Sequence, residues 1–179
     1  MEFSAPDIRI FQEELKNSIE AIKKSKIKSH VAIKTQSLLN ITAYVLTTRF
    51  LEGSVKHIIF NCCIMRGDNE AFLESLTDRL RGFNNPEFKN IKDIIQECLG
   101  YDIIVGKNKG FYSDRDITFL NQIVDNRHKN VHASEDSRTW NSSNQKDLVD
   151  LEKEFIGLQN ILKFLDTIQW DDNLKGFIP

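Results

Sequence analysis

LLNITAYVLTTRFLEGSVKHIIFNCCIM, residues Leu38–Met65, is the longest apolar stretch of the chain. Leu38, Ile41, Val45, Leu51, Val55, Ile59 and Cys62 recur on one helical face, and Leu39, Leu46, Phe50 and Ile58 widen it. A helix apolar over so much of its surface belongs at the centre of a bundle rather than on its rim. Gly67-Asp68-Asn69 supplies the stop.

Upstream, Ser4, Pro6 and Asp7 form a helix start: a capping hydroxyl, a proline in the first turn and an acid at the positive end of the dipole. Ile8, Phe11, Leu15, Ile19 and Ile22 then mark a first amphipathic helix, followed by a lysine cluster and an end or bend near Ser29-His30. Downstream, Glu70 to Leu80 is a short amphipathic piece leading into the turn Gly82-Phe83-Asn84-Asn85. Pro86 opens a helix that turns Phe88, Ile91, Ile94, Ile95 and Leu99 inward and stops at Gly100. Tyr101 to Tyr112 is expected as a loop, with Asp102-Ile103-Ile104-Val105 extended. Ser113-Asp114-Arg115-Asp116 is a second capping signal, and Ile117, Leu120, Val124 and Val131 carry the helix after it. Ala133 to Lys146 is a polar loop; Leu148, Leu151, Phe155, Leu158, Leu162, Leu165 and Ile168 predict a long last helix, and the tail after Trp170 is expected to fray. No repeat and no interdomain linker interrupts this pattern. The expectation is all-α: one domain over residues 1–179, a bundle of five or six mostly antiparallel helices.

Composition agrees with that class. Hydrophobic residues make up 40% and charged residues 28% of 179 residues, and 3 prolines with 8 glycines leave room for long helices. A net charge of -2 argues against a protein that coats polyanions, though a local basic patch needs no net charge. The opening Met-Glu-Phe-Ser-Ala-Pro-Asp has neither a basic nor an apolar leader region, and no run approaches the ~18 apolar residues of a membrane span. Cys62, Cys63 and Cys98 are odd in number and lack Cys-x-x-Cys spacing, which speaks against disulfides or zinc; Cys62 and Cys63, inside the apolar run Ile58–Met65, are expected as buried thiols, and a reducing cytoplasm fits.

Chemistry concentrates in Arg127-His128-Lys129-Asn130-Val131-His132. Histidine titrates near neutrality and suits either proton role, while arginine stays charged and grips phosphate through two parallel bonds. RNA cleavage by its own 2′-hydroxyl needs a base, an acid and a cation beside the phosphate oxygens. On a regular helix, however, five positions set Arg127 and His132 roughly 140° apart around the axis and ~7.5 Å along it. Either the helix breaks near His132, or a second copy of the motif completes the centre across a symmetric interface. His128 and His132 do share a face. The bland alternative is an arginine paired with Asp125 or another acid beside two ordinary polar-face histidines.

The hexapeptide resembles the Arg-polar-x3-His signature of the HEPN family, and Phe50-Leu51-Glu52-Gly53-Ser54-Val55-Lys56 resembles the long second helix of its stand-alone, RiboL-PSP-like members. The likeness runs from about Leu38 to Ile168, with only the motif specific. It implies a helical, homodimeric, metal-independent endoribonuclease without cofactor: a toxin, abortive-infection or stress effector of phage defence, with an antitoxin such as a minimal nucleotidyltransferase as partner. The family's catalytic pair maps to Arg127 and His132, and His128 stands at the polar position usually held by asparagine. Asn130, where an apolar residue is common, and Ala133, where glycine is frequent, depart from the pattern. They lean toward a HEPN-like module that binds RNA, nucleotide or protein without cutting.

Supporting roles fall to other residues. Glu52 shares a face with Arg49 and Lys56 and is the candidate acid to hold Arg127 or orient a histidine; a surface ion pair is its alternative. Lys129 and Asn130, with Lys26 and Lys28 of the Lys23–Lys34 cluster, are candidates for contacting RNA, against a solvated helix end for the cluster. Three sharper motifs fail. Gly100 to Asn108 lacks the spacing and hydroxyl of a phosphate loop, and His128-x3-His132 lacks the glutamate and third ligand of a zinc helix. His57 falls within the apolar helix and is expected as buried packing.

Overall fold

The computed structural model describes residues 3–24, 30–132 and 146–179, with backbone alone at 30–37 and 129–132. Seven helices occur among them: α1 Pro6–Lys24, α2 His30–Arg66, α3 Glu70–Arg81, α4 Phe88–Leu99, α5 Ile104–Asn108, α6 Asp114–His132 and α7 Leu148–Leu165. A small antiparallel hairpin follows, β1 Gln169–Asp171 and β2 Gly176–Ile178, with Trp170 opposite Phe177. The all-α bundle is as expected, with α2 at its centre, packed against α1, α3, α4, α6, α7 and β1.

Two segments differ from the sequence reading. Residues Ile104–Asn108 are helical, not extended, because Gly106 sits where a Cβ would meet the Phe164 ring at 2.5 Å. Glycine lets the short helix press directly onto α7. The tail does not fray: Trp170 and Phe177 pack edge to face at 5.1 Å, and Phe177 is buried.

The buried face of α2 also departs from expectation in its first half. Leu38 is 63% exposed, whereas Ala43, Tyr44, Thr47 and Thr48 are buried. Thr47 and Thr48 hide their hydroxyls by donating to the carbonyls of Ala43 and Tyr44, at 2.8 and 2.9 Å. From Leu51 onward the expected stripe holds, with Leu51, Val55, Ile59 and Cys62 all buried.

Helix ends show both local and distant control. Ser113 and Asp116 form the expected reciprocal cap on α6: Asp116 Oδ2 accepts from Ser113 N and Oγ at 2.7 Å, and Asp116 N donates back at 3.3 Å. At α1 the first amides are met from the far end of the chain, where Asp166 accepts from Ser4 N and Ala5 N. The amide of Phe88 at the start of α4 donates to Asn121 Oδ1 of α6 at 2.9 Å, while Glu87 at the cap position contributes no side-chain capping bond. Gly67 and Gly100 end α2 and α4 with left-handed backbone, φ 82° and 68°.

Candidate functional site

The motif lies in the last two turns of α6, and α6 is held chiefly by α7. Tyr112, just before α6, packs on Phe164, while Asp116 meets Gly157 and Asn160. Partners step backward along α7 as α6 advances, so the two helices are antiparallel. Gly157 sets their closeness: a Cβ there would stand 2.9 Å from Asp116 Cα. Leu120, Ile123 and Val124 are buried, which leaves Arg127 half-buried and His128 exposed at the C-terminal end.

The helix runs without a break through His132. No helix break therefore lies between Arg127 and His132. Arg127 Nη1 donates to the backbone carbonyl of Asn84 at 3.1 Å, tying α6 to the turn between α3 and α4. Asn126, its neighbour, is buried. The side chains of Lys129, Asn130 and His132 lie outside the described residues, as do Lys26 and Lys28 altogether.

Among the described residues Glu52 pairs with Lys56, not Arg127. Its carboxylate accepts from Lys56 Nζ at 2.7 Å along α2, with both side chains about a quarter exposed, 24% and 27%. His57 is not packed in the core either: its Nε2 lies 2.8 Å from Asn61 Nδ2 and 3.5 Å from Asp7 Oδ2 at the start of α1. The α2 helix rotates this histidine toward α1, a consequence of the buried stripe running through Ile58, Ile59, Cys62 and Cys63 instead. Those two thiols are the buried groups the sequence indicated, and burial pushes each up to about 12.

One polar cluster escaped the sequence reading. Glu154 on α7 is 3% exposed and accepts from Tyr44 Oη of α2 at 3.2 Å and from Lys146 Nζ. Burial, then the Glu154 carboxylate, raises the Tyr44 phenol far above its ordinary value. The available signal was Glu154 standing three residues after Leu151 and four before Leu158, on the core-facing stripe. Lys23 likewise reaches from α1 to Glu152 as well as Glu20, so the start of the lysine cluster is tied to α7. Among the described residues no three His, Cys, Asp or Glu side chains gather in a metal-holding group, and no helix is long and apolar enough to cross a membrane.

Comparison with known protein families, curated proteins and solved structures finds no match to this chain.

Proposed function

We propose that the protein is a HEPN-type, metal-independent endoribonuclease in which Arg127 stabilises phosphate charge, His132 transfers the proton and His128 supports it. The observation that carries this reading is the unbroken α6, which ends in Arg127, His128 and His132 with Arg127 half-exposed and His128 exposed. A fixed cation and two imidazoles are the minimum set for 2′-hydroxyl attack on the adjacent phosphorus. With ~140° between Arg127 and His132 on a continuous helix, the working unit in this proposal is a two-fold dimer whose motif helices face each other. The biological setting suggested by the family resemblance is a cytoplasmic toxin or phage-defence effector restrained by a partner protein.

The test is purified protein with total RNA in the presence of EDTA. Arg127→Ala and His132→Ala each abolish cleavage, His128→Ala reduces it, and Arg127→Lys also fails, since a point charge cannot reproduce the planar two-bond grip. Cleavage that survives both Arg127→Ala and His132→Ala would sink the assignment. A protein that cleaves fully while monomeric at tens of micromolar would remove the dimer.

A second reading has its own observation. The bond from Arg127 to Asn84 gives the arginine an architectural task, as it would have in a module that binds RNA, nucleotide or protein without cutting. Retained RNA binding with no cleavage by the wild-type chain would select it.

A further inference from the structure

The bond between Arg127 and Asn84 leads to a groove of about 220 Å³ whose wall includes Asn84. It is bounded by α3, the turn after it, and one face of α4 carrying Asn90, Asp93 and Glu97. Three and four residues separate these positions, so they align along the helix.

Two features of the groove have matching chemistry. Arg79 from α3 is pinned to Glu97 by a two-bond fork, Nε to Oε1 and Nη2 to Oε2, both at 2.8 Å. Half of the Arg79 side chain stays exposed, at 52%. A guanidinium held in one orientation and left half open is a stacking platform for a flat heterocycle. Asp93 is exposed and makes no hydrogen bond or ion pair among the described residues. Asn90 spends its amide nitrogen on the Asn85 carbonyl at 2.9 Å, leaving its oxygen as an acceptor. The groove thus offers acceptors at its edge and a cationic plane at its side.

We infer that this groove is a base-reading subsite for guanine in single-stranded RNA, with Arg79 stacking on the base and Asp93 accepting from its Watson–Crick edge. Guanine presents two adjacent donors there, N1–H and the N2 amine, which match the two oxygens of one carboxylate. Adenine, cytosine and uracil each place an acceptor beside their donor, so a carboxylate would face a repelling lone pair. The inference rests on the proposed RNA site, since Asn84 links the groove to Arg127. A guanine held here would bring a neighbouring phosphate toward that arginine.

The test uses the full chain and 2′-O-methyl tetranucleotides that differ only in carrying G, A, C or U at one position, with affinity read by fluorescence anisotropy. The G oligonucleotide binds roughly tenfold tighter than the others. Asp93→Asn brings it down to their level without weakening them, and Arg79→Ala weakens all four. Both side chains are exposed, and an unchanged helical spectrum verifies folding. Equal binding of the four, a G preference unmoved by Asp93→Asn, or no binding at all overturns the inference. Asp93-dependent capture of an arginine-bearing peptide, with no nucleotide bound, would assign the groove to a protein ligand and overturn it too. These oligonucleotides lack the attacking hydroxyl, so the result is independent of cleavage. G preference without cleavage of total RNA would remove the nuclease and keep the groove; cleavage without G preference would do the reverse.

Discussion

Arg66 and Arg127 are both partly buried arginines near the C-terminal ends of long helices, and they are used in opposite ways. Arg66 is saturated. It forks onto Asp68 at 2.9 and 2.6 Å, donates to the Cys98 carbonyl at 3.2 Å and to Cys63 Sγ at 3.6 Å. Its guanidinium also lies 5.6 Å from the centres of both the Phe72 and the Phe177 ring. One side chain thereby ties α2 to α3, α4 and the terminal hairpin. Among the described residues Arg127 makes one bond, to Asn84. The described residues leave most of its five N–H donors unused. A fork filled from several elements serves architecture; in the proposed nuclease the remaining donors of Arg127 meet phosphate.

That contrast is open to direct attack. The largest effect is expected on the proposed RNA cleavage, where Arg127→Ala lowers the rate by more than about a hundredfold while a thermal melt shows a folded chain. A rate within a factor of a few of wild type would leave Arg127 as merely the second structural arginine. Next comes Arg66→Ala, which removes several charged hydrogen bonds and two ring contacts and lowers stability by about 2–4 kcal/mol. For a chain of this size that is a drop in Tm of roughly 5–15 °C, read by calorimetry.

Asp68→Asn sharpens the comparison at about 1–2 kcal/mol. The Arg66 guanidinium holds the Asp68 carboxyl below its usual range. Its contribution to stability is therefore present above the unfolded value of about 3.9 and is lost as pH falls through the folded value. Urea melts between about pH 5 and pH 2 should show a shallower acid loss in Asp68→Asn than in wild type; parallel curves would mean the fork contributes nothing. The smallest effect is Arg127→Ala on stability, under about 1 kcal/mol, since among the described residues it loses one bond to a carbonyl and water replaces it. A loss as large as that of Arg66→Ala would erase the distinction.

The candidate site was legible in part. Ser113 and Asp116 announced the start of its helix, and Leu120 and Val124 its buried face, because caps and periodicity act between residues less than two turns apart. The tie of Arg127 to Asn84 spans 43 positions and has no local mark. Glu154 was hidden for a different reason: an acid on an apolar stripe is interpretable only once Tyr44 and Lys146 are seen to satisfy it. Glu52, singled out for the arginine, closes on Lys56 one turn away instead.

The chain by itself determined that it would be helical, where most helices begin and stop, and that Leu38–Met65 would run through the middle. Those outcomes follow from spacing, caps and left-handed glycines such as Gly67 and Gly100, all of which act within a few residues. Tertiary structure decided which side of α2 faces inward near Thr47, that Asp166 serves the start of α1, that Asn121 caps α4, that Arg66 reaches Cys98 and that Arg127 reaches Asn84. Each of these joins groups far apart in sequence. Their energies depend on how helices meet, and a hydroxyl, amide or guanidinium carries no local sign of which distant partner will satisfy it.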